Sequence, residues 1–305
     1  MPSAEFEERE YEAPLYNQLL QGSGVVWAPG QVLEGLVGID YSMFTVNPWF
    51  WRLHDFDEPP LGVVLGRGPL GRWWNEIVET RPAPDFALNL FIQAKRPIVG
   101  KRAPKKLAGF GIKGAYWKFD LEQHQQAALL SLAQVASNRA LICYAAPAFD
   151  RLSQLYAHQK AGTIVEASTF PSAQSLATHT SWYYNTPGCG GAANPSLERI
   201  DGPSLQESIA ALLARRNNNV DDRESAADSI KSLASAIAVA LGDERVGNEP
   251  RAALYFERLR EIDLGLRTYR PRRAPELLRS YLAVATFAKV FRLQWLVLRH
   301  LVAVL

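Results

Sequence analysis

Apolar and polar positions divide the chain into recognisable stretches. Over residues 3–21 the apolar positions Phe6, Tyr11, Leu15, Leu19 and Leu20 fall at helical spacing, with acids at Glu5, Glu7 and Glu8 near the start and Ser3 placed to cap. Pro14 sits inside that stretch, where a proline kinks a helix or splits it in two. Residues 31–46 (QVLEGLVGIDYSMFTV) read as strand, tight turn and strand, broken at Gly35 and Gly38. Residues 87–95 are an apolar strand. Residues 120–137 (DLEQHQQAALLSLAQVAS) form a helix with Leu121, Ala128, Leu129, Leu132 and Val135 on one face, and Asp120 is placed to cap it. ALICYAAP at 140–147 is a buried strand, residues 149–162 a helix closed by Gly162, and TIVEASTF a further strand. Residues 171–204 are loop-rich. Beyond them the period is helical over 204–216, 222–241, 249–266 and 275–305. Residues 47–86, rich in Trp, Pro and Gly, follow no clear period, with LGVVLG a candidate short strand and GRWWNEIVE a candidate short helix.

This pattern predicts an α/β region over 1–203 followed by a helical region over 204–305. The 305 residues are enough for one large domain or two smaller ones. A hydrophobic content of 48% with 21% charged residues is ordinary for a soluble globular protein. The final stretch YLAVATFAKVFRLQWLVLRHLVAVL is strongly apolar. Lys289, Arg292, Gln294, Arg299 and His300 interrupt it, which argues for a buried helix with a polar stripe and against a membrane span. The acidic, polar N-terminus does not read as a signal peptide. Two cysteines, Cys143 and Cys189, with no CxxC spacing argue against a cysteine zinc site, and the expected compartment is the reducing cytoplasm.

Net charge is +2, so any electrostatic partner must be sought locally. Residues 95–106 (KRPIVGKRAPKK) hold Lys95, Arg96, Lys101, Arg102, Lys105 and Lys106 without one acid. Just before them, LNLFIQAKRP puts Gln93 and Lys95 two apart, and therefore on the same face of a strand near its end. A lysine there is costly unless a counter-charge meets it. Upstream, the bend GID carries Asp40 beside Gly38. The first helix carries Glu8 and Glu12 one turn apart, on one face. Each feature has a plainer reading: Asp40 as a turn residue, Gln93 and Lys95 as a wet strand end, the two glutamates as a solvated helix face.

Taken together in this order, Gly38-x-Asp40, Gln93-x-Lys95 and a helical glutamate resemble the PD-(D/E)XK, or restriction-endonuclease-like, nuclease superfamily. The similarity is to its Mrr-like branch, where glutamine replaces the last acid. The resemblance spans about residues 5–145. It implies an αβββαβ core with residues 47–86 inserted, and divalent-metal-dependent hydrolysis of nucleic-acid phosphodiesters, most readily DNA, in a setting such as bacterial defence. It implies Mg2+ or Mn2+ held by Asp40, Gln93 and Glu12, with Glu8, Glu34 and Gln125 as alternatives, and Lys95 orienting water or stabilising charge on phosphorus. Arg96, Lys101, Arg102, Lys105 and Lys106 would meet backbone phosphates. Trp49, Trp51, Trp73 and Trp74 are candidates for stacking on bases. The C-terminal helices are expected to pack on the core, form a homo-oligomer or hold a protein partner. An inactive nuclease fold that only binds nucleic acid or a protein, and a regulatory protein acting through its C-terminal helices, are the other classes. No P-loop, HExxH or Gly-x-Ser-x-Gly is present.

Overall fold

The computed structural model describes residues 2–21, 26–27, 86–136, 139–188, 190–217, 226–242, 250–269 and 275–299. Among them run eight helices and two five-stranded sheets, a mixed α/β architecture. Helix α1 (Glu8–Gln21) precedes strands β1 (Val26–Trp27), β2 (Phe86–Ala94) and β3 (Ile98–Gly100). Then come α2 (Lys105–Ala108), β4 (Tyr116–Asp120), α3 (Gln123–Ala136), β5 (Ala140–Pro147), α4 (Leu152–Ala161) and β6 (Ser168–Thr169). Strands β7 (Ser181–Tyr184), β8 (Gly191–Asn194) and β9 (Glu198–Ile200) lead to α5 (Leu205–Asn217), α6 (Ala226–Gly242), α7 (Pro250–Tyr269), α8 (Pro275–Val290) and β10 (Gln294–Arg299).

The first sheet is ordered β1-β10-β2-β5-β6, with β2 and β5 parallel and the other neighbours antiparallel. The second is an antiparallel sheet, β3-β4-β7-β8-β9. Strand β2 is central, and its alternate side chains feed two cores. Phe91 packs with Tyr144, Trp182, Tyr184, Phe287 and Trp295 on the side of α3 and α6–α8. Leu90, Ile92 and Ala94 pack with Tyr11, Leu15, Phe149 and Leu155 on the side of α1 and α4.

Several local readings meet their elements closely: the strand at 140–147, the helices near 120–137 and 149–162, and the αL cap at Gly162, with φ 65°. The first helix begins at Glu8, because Ser3 is drawn into a bridge with Ile98 instead of capping. The stretch 171–204, read as loop, carries three short strands of the second sheet. The largest difference is at 275–305. The helix stops at Val290, and 294–299 become β10, which lies between β1 and β2. That segment is buried on both sides, Trp295 and Val297 in one core and Leu296 in the other. A strand covered on both faces has no alternation, so its sequence reads as an apolar helix. Among the described residues no helix is long and apolar enough to cross a membrane.

Candidate functional site

The carboxyl end of β2 gathers buried polar groups. Phe91, Gln93 and Lys95 share one face by strand alternation; the first lies in the core, and the next two stay buried with 3% and 7% exposure. Gln93 Oε1 has no hydrogen-bond partner among the described residues. An orphan amide oxygen at that depth costs on the order of 1–3 kcal/mol unless something binds it. Its neighbour across the parallel pairing is Tyr144, whose hydroxyl donates to Gln126 Oε1. Gln126 Nε2 in turn donates to the carbonyls of Ala173 (3.1 Å) and Leu176 (2.9 Å). Burial, with the charge of Glu122 adding, pushes the Tyr144 phenol up and keeps it neutral.

Lys95 is where charge accumulates. Its ammonium lies 3.9 Å from Glu122 Oε1, and Glu122 Oε2 accepts from Arg251 Nη2 at 3.2 Å. Burial lowers the Lys95 pKa, and the carboxylates of Glu8 and Glu122 work against that, while Arg251 and Arg292 add to it. For Glu8, burial raises the pKa; Lys95, a hydrogen bond from the Arg96 backbone N–H, and Arg292 oppose the rise. Glu12, one turn further along α1, is pushed up to about 7 by burial and by the charge of Glu8, with Arg9 opposing. The cluster thus climbs from buried Gln93 and Lys95 to Glu122 and Arg292 at the surface.

Glu8 is therefore the helical carboxylate coupled to Lys95, and Glu12 is coupled to it through Glu8. Gln125, 1% exposed, donates from Nε2 to the Phe291 carbonyl and ties α3 to the turn before β10. Arg96 is committed to the N-terminal segment. Its Nε and Nη2 donate to the Ala4 carbonyl at 3.2 and 2.6 Å, and Nη1 meets Glu7 Oε1 at 2.8 Å. Lys101, Arg102, Lys105 and Lys106 are exposed around β3 and α2, at the edge of the second sheet. Asp40, Glu34, the insertion at 47–86 up to Asp85 and the four candidate stacking tryptophans lie outside the described residues.

Three members of the cluster carry weak sequence signals. Glu122 immediately precedes α3, a position where an acid also serves the helix dipole. Arg251 is visible only as a base in the first turn of a helix, where the dipole disfavours it. Arg292 read as part of a helix, and its placement depends on the unforeseen turn into β10.

The ion implied by the resemblance, Mg2+ or Mn2+, requires oxygen donors. Magnesium commonly takes one or two carboxylates, with water and substrate oxygens completing its shell. The orphan Gln93 Oε1 and the carboxylates of Glu8 and Glu122 are donors of that kind at the same strand end. Among the described residues no group of three or more His, Cys, Asp or Glu side chains is arranged to hold a metal.

No family model matches the chain, and no curated protein and no solved structure is similar enough to count as a match.

Proposed function

We propose that this strand end is the catalytic pole of a divalent-metal-dependent nuclease that hydrolyses phosphodiester bonds in DNA. The observation that carries the reading is Lys95: a buried lysine flanked by Glu8 and Glu122, two residues after an orphan glutamine oxygen. A lysine so placed in a merely structural strand would be a net cost. Next to a scissile phosphate it stabilises the negative charge that grows on the phosphoryl oxygens. Helix α1 ahead of β2, and helix α3 leading into β5 parallel to β2, support a restriction-endonuclease-like core, with β3, α2 and β4 intervening between β2 and α3 and the two intervening strands paired in the second sheet.

Gln93, Glu8 and Glu122 would hold Mg2+ or Mn2+, together with Asp40 from the preceding segment. Such an ion, when bound, would supply a water acidic enough to attack at neutral pH. Gln93 would offer its otherwise unpartnered carbonyl oxygen to that ion, and Lys95 would bind a non-bridging phosphate oxygen. The exposed Lys101, Arg102, Lys105 and Lys106 would hold the DNA backbone further along.

Incubating the protein with plasmid and duplex oligonucleotides in Mg2+ or Mn2+ tests the reading. Cleavage should stop with chelator and fall at least about 100-fold in Lys95→Ala, the scale for losing a group that stabilises transition-state charge. Wild-type protein that never cuts with either metal would sink it. One observation favours a fold that binds nucleic acid without cutting: glutamine stands at position 93, and Glu12, pushed up to about 7, is partly neutral at physiological pH. Binding without cleavage is the signature of that alternative.

A further inference from the structure

We infer that Arg251 and Arg292, brought to the strand end by the C-terminal third of the chain, are phosphate-binding residues that grip the nucleic-acid backbone beside Lys95. The inference rests on the nucleic-acid part of the reading above and is independent of cleavage.

Arg292 is the strongest sign. It has φ 55°, the left-handed region that glycine adopts freely and a long side chain does not. The hydrogen bonds around it define its place in a helix-terminating motif. Leu293 N donates to the Ala288 carbonyl at 2.8 Å and Arg292 N to the Lys289 carbonyl at 3.3 Å. These are the two bonds of a Schellman cap, and Arg292 occupies the position where glycine is usual. An arginine held there at a backbone cost is a candidate for a functional role. The turn is held from the opposite side by Gln125, which donates to the carbonyl of Phe291. Register continues the placement: β10 begins with Gln294 opposite Ile92, so the turn lies against the Gln93–Lys95 end of β2.

Arg251 gives an independent sign. It sits in the first turn of α7, a 20-residue helix whose dipole disfavours a cation there. One amino group reaches Glu122, whereas the other, Nη1, is buried and has no partner among the described residues. An enclosed donor left without an acceptor is costly, and a phosphate oxygen entering beside Glu122 would relieve that cost.

The composition of the cluster agrees. Lys95, Arg251 and Arg292 converge on the carboxylates of Glu8 and Glu122, with Glu12 one turn behind Glu8 on α1. Glu8 lies in the first turn of α1, Glu122 just precedes α3, and Arg251 opens α7, so the amino ends of three long helices meet here as well. Helix amino ends and three converging cations together favour an anion, and phosphate offers several oxygens to a forked guanidinium.

The test is binding of a fluorescein-labelled 20-base-pair DNA duplex in excess chelator, across a salt series, with wild type, Arg251→Gln and Arg292→Gly. Each variant should bind about five- to tenfold more weakly, with a log-log salt slope shallower by about one. Arg292→Gly should at the same time unfold at a higher denaturant concentration, because glycine relieves the left-handed backbone. A purely structural role for Arg292 would leave affinity unchanged. Variants that bind as wild type with the same salt slope overturn the inference, even if the wild type cleaves DNA. Weakened variants of a protein that never cleaves support it and remove only the hydrolase. A wild type that does not bind the duplex overturns both.

Discussion

Glu12→Gln isolates a carboxyl that titrates near neutrality. In the folded protein burial and the neighbouring charge of Glu8 push Glu12 up to about 7, from an ordinary 4.5. Between those two pH values the folded state holds a proton that the unfolded chain has released. Stability from this group is therefore complete below the unfolded value and is lost as pH rises through the folded one. Each tenfold difference in acidity is worth about 1.36 kcal/mol, which puts a ceiling of about 3.4 kcal/mol on the loss. Glu12 is only half-buried, and water screens a site of that kind, so roughly half of the ceiling is a fair expectation. Glutamine keeps the shape and cannot ionise. Stability measured by urea unfolding at pH 5 and pH 8 should show the variant gaining on wild type by about 1–2 kcal/mol over that interval. Wild type and variant running parallel across the range would refute the argument, and with it the idea that Glu8 and Glu12 share one desolvated patch. A Glu8→Gln, Glu12→Gln cycle measures their coupling directly.

Terminating the chain after Val290 removes β10, which lies between β1 and β2, so the shortened protein should lose its cooperative thermal transition and its near-UV dichroism; an unchanged melting curve would contradict the sheet order. Trp295 stacks near-parallel on Phe91, with centroids 6.4 Å apart, and donates to Asn89 Oδ1 at 3.0 Å. Trp295→Ala should cost about 3–5 kcal/mol in denaturant unfolding, and a loss under 1 kcal/mol would place that ring outside the core. Arg96→Ala removes the side-chain tie between the segment before α1 and the strand end and leaves its backbone bonds to Pro97, Val99 and Asp150; it should destabilise by about 1–2 kcal/mol and speed proteolysis near Glu5, and normal proteolysis would show the tie to be idle.

Part of the candidate site was legible because it depends on short-range pattern. Two residues apart on a strand means one face, so Gln93 and Lys95 belong together before any coordinates are known, and both prove buried on the face that carries Phe91. Four residues apart on a helix likewise joins Glu8 to Glu12. Which of the two meets Lys95 depends on how α1 is set against β2, a long-range matter, and the coupled residue is Glu8. Arg96 belongs to the basic stretch by sequence, yet it turns toward Ala4 and Glu7 because the N-terminal segment runs beside β3.

The sequence by itself determined the interior of the longer periodic elements, the strand at 140–147 and the pairing of an amide with an ammonium at the end of β2, since period and alternation act over a few residues. Tertiary structure decided the rest. A segment with the look of an apolar helix became a central strand because both its faces found a core, and that exchange carried Arg292 to the strand end. Arg251 and Glu122 joined Lys95 from helices far apart in the chain. Charge clusters of this kind arise from packing, which sums contributions from distant segments and leaves little trace in any one of them.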